Sequence, residues 1–382
     1  MARRKLLFVI PTIKHGGAEL FLLRLCEMSL QSYEVCVVVI GEREGLFVDF
    51  EALNIKIHYL GFNDVIYFPL AVFRLRRVIR TESPNIVQSF LYLADILSGF
   101  ATFGLKMDMK IWSLRGSALA VGTSYHKLAI QRLAAFLSTR VPDLIVSCSN
   151  QVSDFHIQLG YPNHKIITIG NFVSKWALDG RSTSVFLTNA FPEHFKIGLA
   201  ARYDLGKGHH ALVKSSLNFL TRNPNTNITL SFSGKGCESG GRLSSDLVQT
   251  LENEALFQNG RLKLVTVGLL NGINLVNWFQ TLDLYFMSSD SLEGFPNSLA
   301  EAVTIGLPSL ANPVGAAKDL VVADRISQDC TISSMTELLE QFYREDLDAK
   351  QQTTLNSKNE LLSKYQDIKI LNSYKSVWET LI

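Results

Sequence analysis

The strongest constraint on the fold is an alternation: short, almost wholly apolar runs recur along the chain, separated by segments whose apolar residues fall at helical spacing. A run of five or six apolar residues without polar alternation is a strand covered on both faces, which requires helices on either side of a parallel sheet. In the first half the predicted strands are Leu6 to Pro11, Val35 to Ile40, Lys56 to His58, Ile86 to Ser89, Lys110 to Ser113, Leu144 to Cys148 and Ile166 to Ile169. The scheme restarts with Phe195 to Ala200, followed by Asn227 to Ser233, Leu262 to Val265, Leu282 to Met287 and Pro308 to Leu310. Between the two series, Asn171 to Pro192 is rich in Ser, Thr, Asp, Gly and Asn and reads as a linker. The expected architecture is α/β, with two Rossmann-like domains whose parallel sheets face a central cleft. Their predicted extents are 1–175 and 193–364, with the linker over 176–192. A terminal helix over 365–382 carries Ile368, Leu371, Val377 and Leu381 as apolar positions, and Tyr374 and Trp378 four apart.

Composition agrees with two folded domains. Of 382 residues, 47% are hydrophobic and 19% charged, enough for sizeable cores and too apolar for disorder. The formal charge of +2 is unevenly spread: residues 1–170 carry 18 Lys and Arg against 13 Asp and Glu, so the first half is basic. Five cysteines, with no C-x-x-C pair, point to a reducing compartment and away from a structural metal. The basic start Arg3-Arg4-Lys5 precedes an apolar run that stops at Pro11, which reads as a first strand rather than a signal peptide. No apolar stretch reaches the roughly 18 residues of a spanning helix. The densest basic run, Arg74 to Arg80, lies among Val72, Phe73, Leu75, Val78 and Ile79; it reads as a solvated helix face that would also suit docking on an anionic bilayer.

The most specific stretch is Ser288-Ser289-Asp290-Ser291-Leu292-Glu293-Gly294-Phe295-Pro296-Asn297-Ser298-Leu299-Ala300-Glu301-Ala302. It follows the run ending at Met287, turns at Gly294 and Pro296, and opens a helix whose apolar face begins with Leu299, Ala300, Ala302 and Val303. The first amides of that helix, near Asn297 to Leu299, lack intrahelical acceptors and sit at the positive end of its dipole, so they suit a phosphate. Glu293 and Glu301, eight positions apart, flank that anion site with acceptors for sugar hydroxyls. A diphosphate with a sugar on either side fits the spacing. The bland alternative is an ordinary turn followed by a glutamate that complements the helix dipole.

Two further loops add to this. In His15-Gly16-Gly17-Ala18-Glu19 the paired glycines allow close approach of a ligand to a helix start. The pattern is not G-x-G-x-x-G, which disfavours a nicotinamide cofactor. In Ala200-Ala201-Arg202-Tyr203-Asp204-Leu205-Gly206-Lys207-Gly208-His209, the planar fork of Arg202 and the compact cation of Lys207 can neutralise a diphosphate without a divalent metal. Two solvated cations are the competing reading there, and His209 is expected to pack or cap.

The string Ser-Ser-x-x-x-Glu-Gly-Phe-Pro-Asn-Ser-Leu-x-Glu-Ala, followed by Gly306-Leu307-Pro308, resembles the donor-site signature of the family 4 retaining glycosyltransferases, whose two-domain fold is called GT-B. The likeness extends from Leu6 to the terminal helix, which in that family crosses back onto the first domain. It implies that Gly16 and Gly17 close over the donor phosphate, and that Ser233-Gly234-Lys235-Gly236 shapes the site near the nucleotide base. Arg115 and Ser117 would face donor sugar and acceptor, with His126 a further acceptor-side candidate. Ser149 and Asn171 match turns of the family. The chain departs from the pattern at Ala201 and Phe172, where glycine is usual, and at Pro313 and Asp319 in the loop from Asn312.

The resemblance thus implies a retaining, metal-independent transferase without a cofactor. It would move a hexosyl or N-acetylhexosaminyl group from a nucleotide-sugar, in expectation a UDP-sugar, to a hydroxyl of a lipid-linked glycan. That places it in surface polysaccharide or lipopolysaccharide biosynthesis, in the cytoplasm at the inner face of the membrane, with no nucleic-acid partner. Arg202, Lys207 and Glu293 would be catalytic, and Gly16, Gly17, Gly234, Asn297, Ser298, Leu299 and Glu301 donor-binding. Two rival functions share the architecture: a sugar-nucleotide epimerase, which needs no acceptor, and a non-catalytic two-lobed binding protein, which ordinarily carries an export signal.

Overall fold

A computed structural model describes residues 3–14, 16–62, 67–116, 125–179, 194–291 and 293–380. The chain divides into two compact units, one formed by Met1–Phe172 together with Asp367–Ile382 and the other by Val173–Gln366.

Among the described residues the first unit holds seven parallel strands: β1 (Lys5–Ile10), β2 (Glu34–Val39), β3 (Lys56–Tyr59), β4 (Ile86–Phe90), β5 (Met109–Leu114), β6 (Leu144–Ser147) and β7 (Ile166–Thr168). Their order is β3-β2-β1-β4-β5-β6-β7. The connections carry α1 (Gly17–Ser29), α2 (Phe47–Ala52), α3 (Phe68–Glu82), α4 (Tyr92–Thr102), α5 (Tyr125–Ser138) and α6 (Asn150–Gln158). Leu6 to Ile10 are all fully buried, as a central parallel strand covered on both faces requires.

The second unit begins with α7 (Lys175–Asp179) and alternates β8 (His194–Ala200), α8 (His209–Arg222), β9 (Asn227–Ser233), α9 (Arg242–Leu251), α10 (Ala255–Gln258), β10 (Leu262–Gly268), α11 (Gly272–Phe279), β11 (Leu284–Met287), α12 (Asn297–Ile305) and β12 (Ser309–Ala311). It ends with α13 (Ala317–Leu320), α14 (Ile332–Arg344) and α15 (Leu347–Tyr365). Its five strands pair in parallel in the order β10-β9-β8-β11-β12. Phe195, Ile197, Leu199, Ile228, Leu230, Phe232, Leu284 and Phe286 form one core with Leu212 and Phe219 of α8 and Met335, Leu339 and Phe342 of α14.

In such sheets a ligand crevice opens at the carboxyl ends of the strands where the order reverses, between β1 and β4 in one unit and between β8 and β11 in the other. The residue after β4, Leu91, has φ 72° and ψ 150°, a region that strains any side chain.

The last helix, α16 (Asp367–Glu379), belongs to the first unit. Trp378 is fully buried, donates from Nε1 to Gln88 Oε1 at 2.9 Å, and packs against Tyr33 and Phe8. Tyr374 packs at a tilt on Phe21, ring centroids 5.8 Å apart, Arg4 donates to the Trp378 carbonyl at 2.5 Å, and Arg24 bonds Asp367.

Several strand ends shift, as in β10, which runs to Gly268 rather than Val265, and two further differences have a packing cause. Part of the expected linker, Lys175–Asp179, is helical and belongs to the second unit, because Ala177 is buried and the helix packs on α11 and α12. Leu282 precedes β11 instead of opening it; its side chain fills the space above Gly198 with that of Trp278.

Truncating Trp378 to alanine removes a large buried side chain and orphans the Gln88 carbonyl. We expect Trp378→Ala to destabilise the first unit by about 3–5 kcal/mol, read as a shift of one transition in urea unfolding while the other is unmoved.

Candidate active site

β8 and β11 meet where the strand order of the second unit reverses, pairing Ile197 with Leu284 and Gly198 with Tyr285. Their carboxyl ends release the two loops that carry most of the predicted site residues. After β8 the chain makes one 3-10 turn, Leu205–Lys207, capped by Asp204, whose carboxylate accepts from the Leu205 amide at 2.8 Å. The loop after β11 is tied to it: the Asp290 amide donates to the Gly206 carbonyl at 3.2 Å and the Ser288 hydroxyl to the Gly208 carbonyl at 3.0 Å. Gly208 permits this approach, since at its φ of 72° a Cβ would lie 1.9 Å from the Ser288 carbonyl oxygen.

Across this seam Lys207 Nζ stands 2.7 Å from Glu293 Oε1, and the Ser289 hydroxyl donates to the same oxygen at 2.8 Å. The two charged side chains are only 17% and 14% exposed, so their attraction is less screened than at an open surface. An ammonium has three donors, so Lys207 can hold Glu293 and an anion together.

A third loop locks the arrangement. The buried Asn312 amide donates to the carbonyls of Ser288 at 3.0 Å and Ser289 at 3.1 Å, while its oxygen accepts from Ser327 at 2.8 Å. Gly315 lies directly against Glu293, where a Cβ would meet the Glu293 Cβ at 2.9 Å.

Helix α12 starts at Asn297 behind Pro296, which offers no side-chain cap. The Ala300 amide bonds the Pro296 carbonyl at 3.1 Å, so the Ser298 and Leu299 amides precede the first intrahelical bond. The Leu299 side chain is fully buried in the core, leaving its amide as the group available to a ligand. The Ser298 hydroxyl is 2.8 Å from the buried Tyr285 hydroxyl. Glu301 lies one turn further in, half-buried; burial pushes its carboxyl up to about 7, opposed by a hydrogen bond from Ser174.

The other expected residues are placed as follows. Arg202 is exposed and pairs with Asp204 at 3.1 Å, outside the Lys207–Glu293 pair. Gly234, with φ 140°, lies under the chain entering that loop, where a Cβ would be 2.1 Å from the Ala201 carbonyl oxygen. His209 is buried between Tyr203 and Phe232; burial lowers its imidazole to about 4, so it is neutral and packs. In the first unit Gly16 precedes α1, where Glu19 folds back: a Cβ on Gly16 would be 2.4 Å from Glu19 Oε2. Gly17 is exposed. A ligand phosphate at these glycines would meet that carboxylate.

Arg115, expected to face the donor sugar and acceptor, instead spans its own unit. It donates to Asn171 Oδ1 at 2.8 Å and Tyr374 Oη at 2.6 Å and stacks 3.5 Å from the Phe21 ring centroid. His126 is exposed in the first turn of α5, and Ser117 lies outside the described residues. On β2, on β3 and at the last residue of α3, ligand atoms of Cys36, His58 and Glu82 lie within 4.8 Å of one another. The Glu82 carboxylate there already meets Lys56 at 2.5 Å, His58 at 3.0 Å and Lys5 at 3.4 Å, an arrangement that neutralises a buried charge.

The roles of Ser174, Ser289 and Asn312 do not emerge from spacing. Their partners are backbone carbonyls and carboxylates brought close only by folding.

Comparison with known proteins fits this geometry. Residues 15–175 match the glycosyltransferase family 4 profile and residues 185–360 that of the glycosyl transferases group 1. The chain belongs to the family 4 glycosyltransferases. It is 28% identical over 176 residues to protein CapJ of Staphylococcus aureus, an alignment spanning 45% of this chain and 42% of that protein. The structure of HepE from Anabaena, in complex with UDP and glucose, superposes with a TM-score of 0.78 at 17% identity, covering 99% of this chain and 100% of that one. The apo lipopolysaccharide outer core galactosyltransferase WaaB gives a TM-score of 0.70 at 15% identity, covering 97% and 98%. The fold is GT-B.

If Asn312 is the clamp described, Asn312→Leu leaves the Ser288 and Ser289 carbonyls without their donor. The variant is expected to lose about 1–3 kcal/mol of stability in denaturant unfolding, whereas Asn259→Leu on the surface changes little.

Proposed function

We propose that the protein transfers a hexosyl or N-acetylhexosaminyl group from a UDP-sugar to a hydroxyl of a lipid-linked glycan, with retention of configuration and without a metal or other cofactor. The observation that carries this reading is the Lys207–Glu293 pair beside the uncapped start of α12: a cation, a carboxylate and helix amides gathered where strand order reverses. Lys207, with Arg202 swinging from Asp204, would take up charge as the diphosphate departs, and the Ser298 and Leu299 amides would add fixed dipoles. Glu293, held by Ser289 and Lys207, would accept from donor-sugar hydroxyls, and Glu301 from the ribose. In this role the glutamates orient and bind, so retention requires no carboxylate nucleophile. HepE, whose structure holds UDP and glucose, supports the choice of nucleotide, and WaaB the assignment to surface polysaccharide. A cytoplasmic site of action, where nucleotide-sugars are made, completes the proposal.

The test is a screen of nucleotides and nucleotide-sugars by thermal shift and slow donor hydrolysis, with chelator present. UDP is expected to raise the melting temperature, and one UDP-sugar to release UDP. If no nucleoside diphosphate shifts the transition, the donor site is misread; conversion of the donor without an acceptor would instead favour an epimerase.

Variants refine the roles. Glu293→Gln and Arg202→Ala should each lower turnover by roughly a hundredfold with the melting temperature little changed; near-normal turnover removes that residue from the mechanism.

The raised carboxyl of Glu301 gives a pH signature. Hydroxyl binding needs the carboxylate, which is the minor form below about 7 and the major form above it. UDP affinity should therefore rise roughly tenfold from about pH 6 to pH 8, and this slope should vanish in Glu301→Gln, as calorimetric titration would show.

A further inference from the structure

The helices α3, α4 and α5 pack side by side, α4 between the other two, and together they turn an unusual face outward. On α3 the exposed positions Leu70, Phe73, Arg77 and Arg80 recur at helical spacing as one outer stripe. On α5 the same order repeats as Leu133, Phe136 and, just past the helix end, Arg140. Between them α4 contributes Phe100 and the residue after it, Phe103. Phe73 and Phe136 are each 64% exposed and Phe103 is 82% exposed, values that a side chain serving the core would not show.

The charge of this face is one-sided. The carboxylates of the three helices are Glu82 and Asp95, both buried, and those of the adjoining loops, Asp108 and Asp143, pair with Arg4 and Lys110. The cations are Arg74, Arg76, Arg77 and Arg80 on α3 and Lys127 and Arg132 on α5, with Lys106 and Arg140 in the adjoining loops. Arg76 donates to the carbonyls of Ala101 at 2.9 Å and Phe103 at 2.6 Å, which fixes the end of α4 and holds Phe103 outward. Phe73, Arg76, Arg77, Arg80 and Thr81 line a shallow groove of about 240 Å³, at which the guanidinium groups can donate to a phosphate.

Exposed rings ordered alongside guanidinium groups, with no exposed carboxylate on the three helices, are the pattern of a surface that lies in a membrane interface: rings enter the headgroup boundary and cations pair with lipid phosphates. A nucleic acid would use the cations but gains nothing from aliphatic Leu70 and Leu133. We propose that the α3–α4–α5 face of the first unit docks on an anionic phospholipid bilayer, with Phe73, Phe103 and Phe136 inserted and Arg77, Arg80 and Arg140 on the phosphates. No helix among the described residues is long and apolar enough to cross a membrane. The proposal deepens the lipid-linked acceptor named above, but vesicle binding is read without donor or acceptor, so either idea can fail alone.

The experiment is flotation of the full-length protein with vesicles of phosphatidylcholine, with and without phosphatidylglycerol. Binding is expected only with phosphatidylglycerol and should weaken with salt. Arg77→Gln/Arg80→Gln/Arg140→Gln should reduce partitioning on the order of a hundredfold. Phe73→Ser/Phe103→Ser/Phe136→Ser should also release the protein, and in Phe103→Trp the tryptophan emission should shift to the blue on binding. An unchanged far-UV circular dichroism spectrum and melting temperature report that the fold of each variant is intact. The proposal is overturned if the wild type ignores phosphatidylglycerol, or if the serine variant binds as tightly as the wild type. It is equally overturned if a soluble polyanion such as duplex DNA binds with an affinity indifferent to those phenylalanines, which would mark a purely electrostatic surface.

Discussion

The candidate site of the second unit depends on the seam between β8 and β11. Only two rungs join the strands, and at one of them Gly198 faces Tyr285, with Leu282 and Trp278 filling the space where a side chain would stand. This close contact sets the distance between the two loops that follow, and so the distance between Lys207 and Glu293. The charged pair does not hold the loops together by itself. Backbone bonds from Asp290 to Gly206, the Ser288 hydroxyl on Gly208, and Asn312 on two successive carbonyls define the loops, and the pair forms across the gap they leave. A site built in this order is organised before a ligand arrives, which is the condition for electrostatic stabilisation without reorganisation.

The helix starts at the two crevices share one feature. The helices α1, α8 and α12 begin behind Gly16, Gly208 and Pro296, none of which caps with a side chain. In contrast, α14 and α15, remote from the strand ends, are capped by Thr331 and Asp346. Where a side chain would satisfy the first amides, an anion has no reason to bind. At α1 the chain supplies its own anion in Glu19, so the two crevices are not equivalent.

Most of the fold is legible in the sequence because a buried parallel strand must be apolar throughout, and each expected strand is present. What stayed hidden was polar. The helix α15 presents Lys350, Thr354, Ser357 and Leu361 to the interior, a helical spacing with a single apolar member, so hydrophobic periodicity does not mark it. The short α7 sits in a stretch whose composition reads as linker. In the site, Glu293, Glu301 and Lys207 stand out because charge next to glycine and a helix start has few structural uses. Asn312 and Ser174 do not, since an amide or hydroxyl gains its meaning only from partners distant along the chain. Arg115 was legible as a special residue, but not for its geometry: only the folded structure shows its guanidinium engaged by Phe21, Asn171 and Tyr374.

The return of α16 to the first unit makes that unit discontinuous along the chain, with the whole of the second unit inserted between its parts. During synthesis the second unit can complete its core while the first still lacks the residues that fill the space beside Phe8, Tyr33 and Gln88. The unit that leaves the ribosome first is therefore the last to close, and its sheet must persist with an open apolar slot until Trp378 emerges. For that interval the chain presents a hydrophobic surface to its surroundings, a period of vulnerability written into the order of its segments rather than into any one contact.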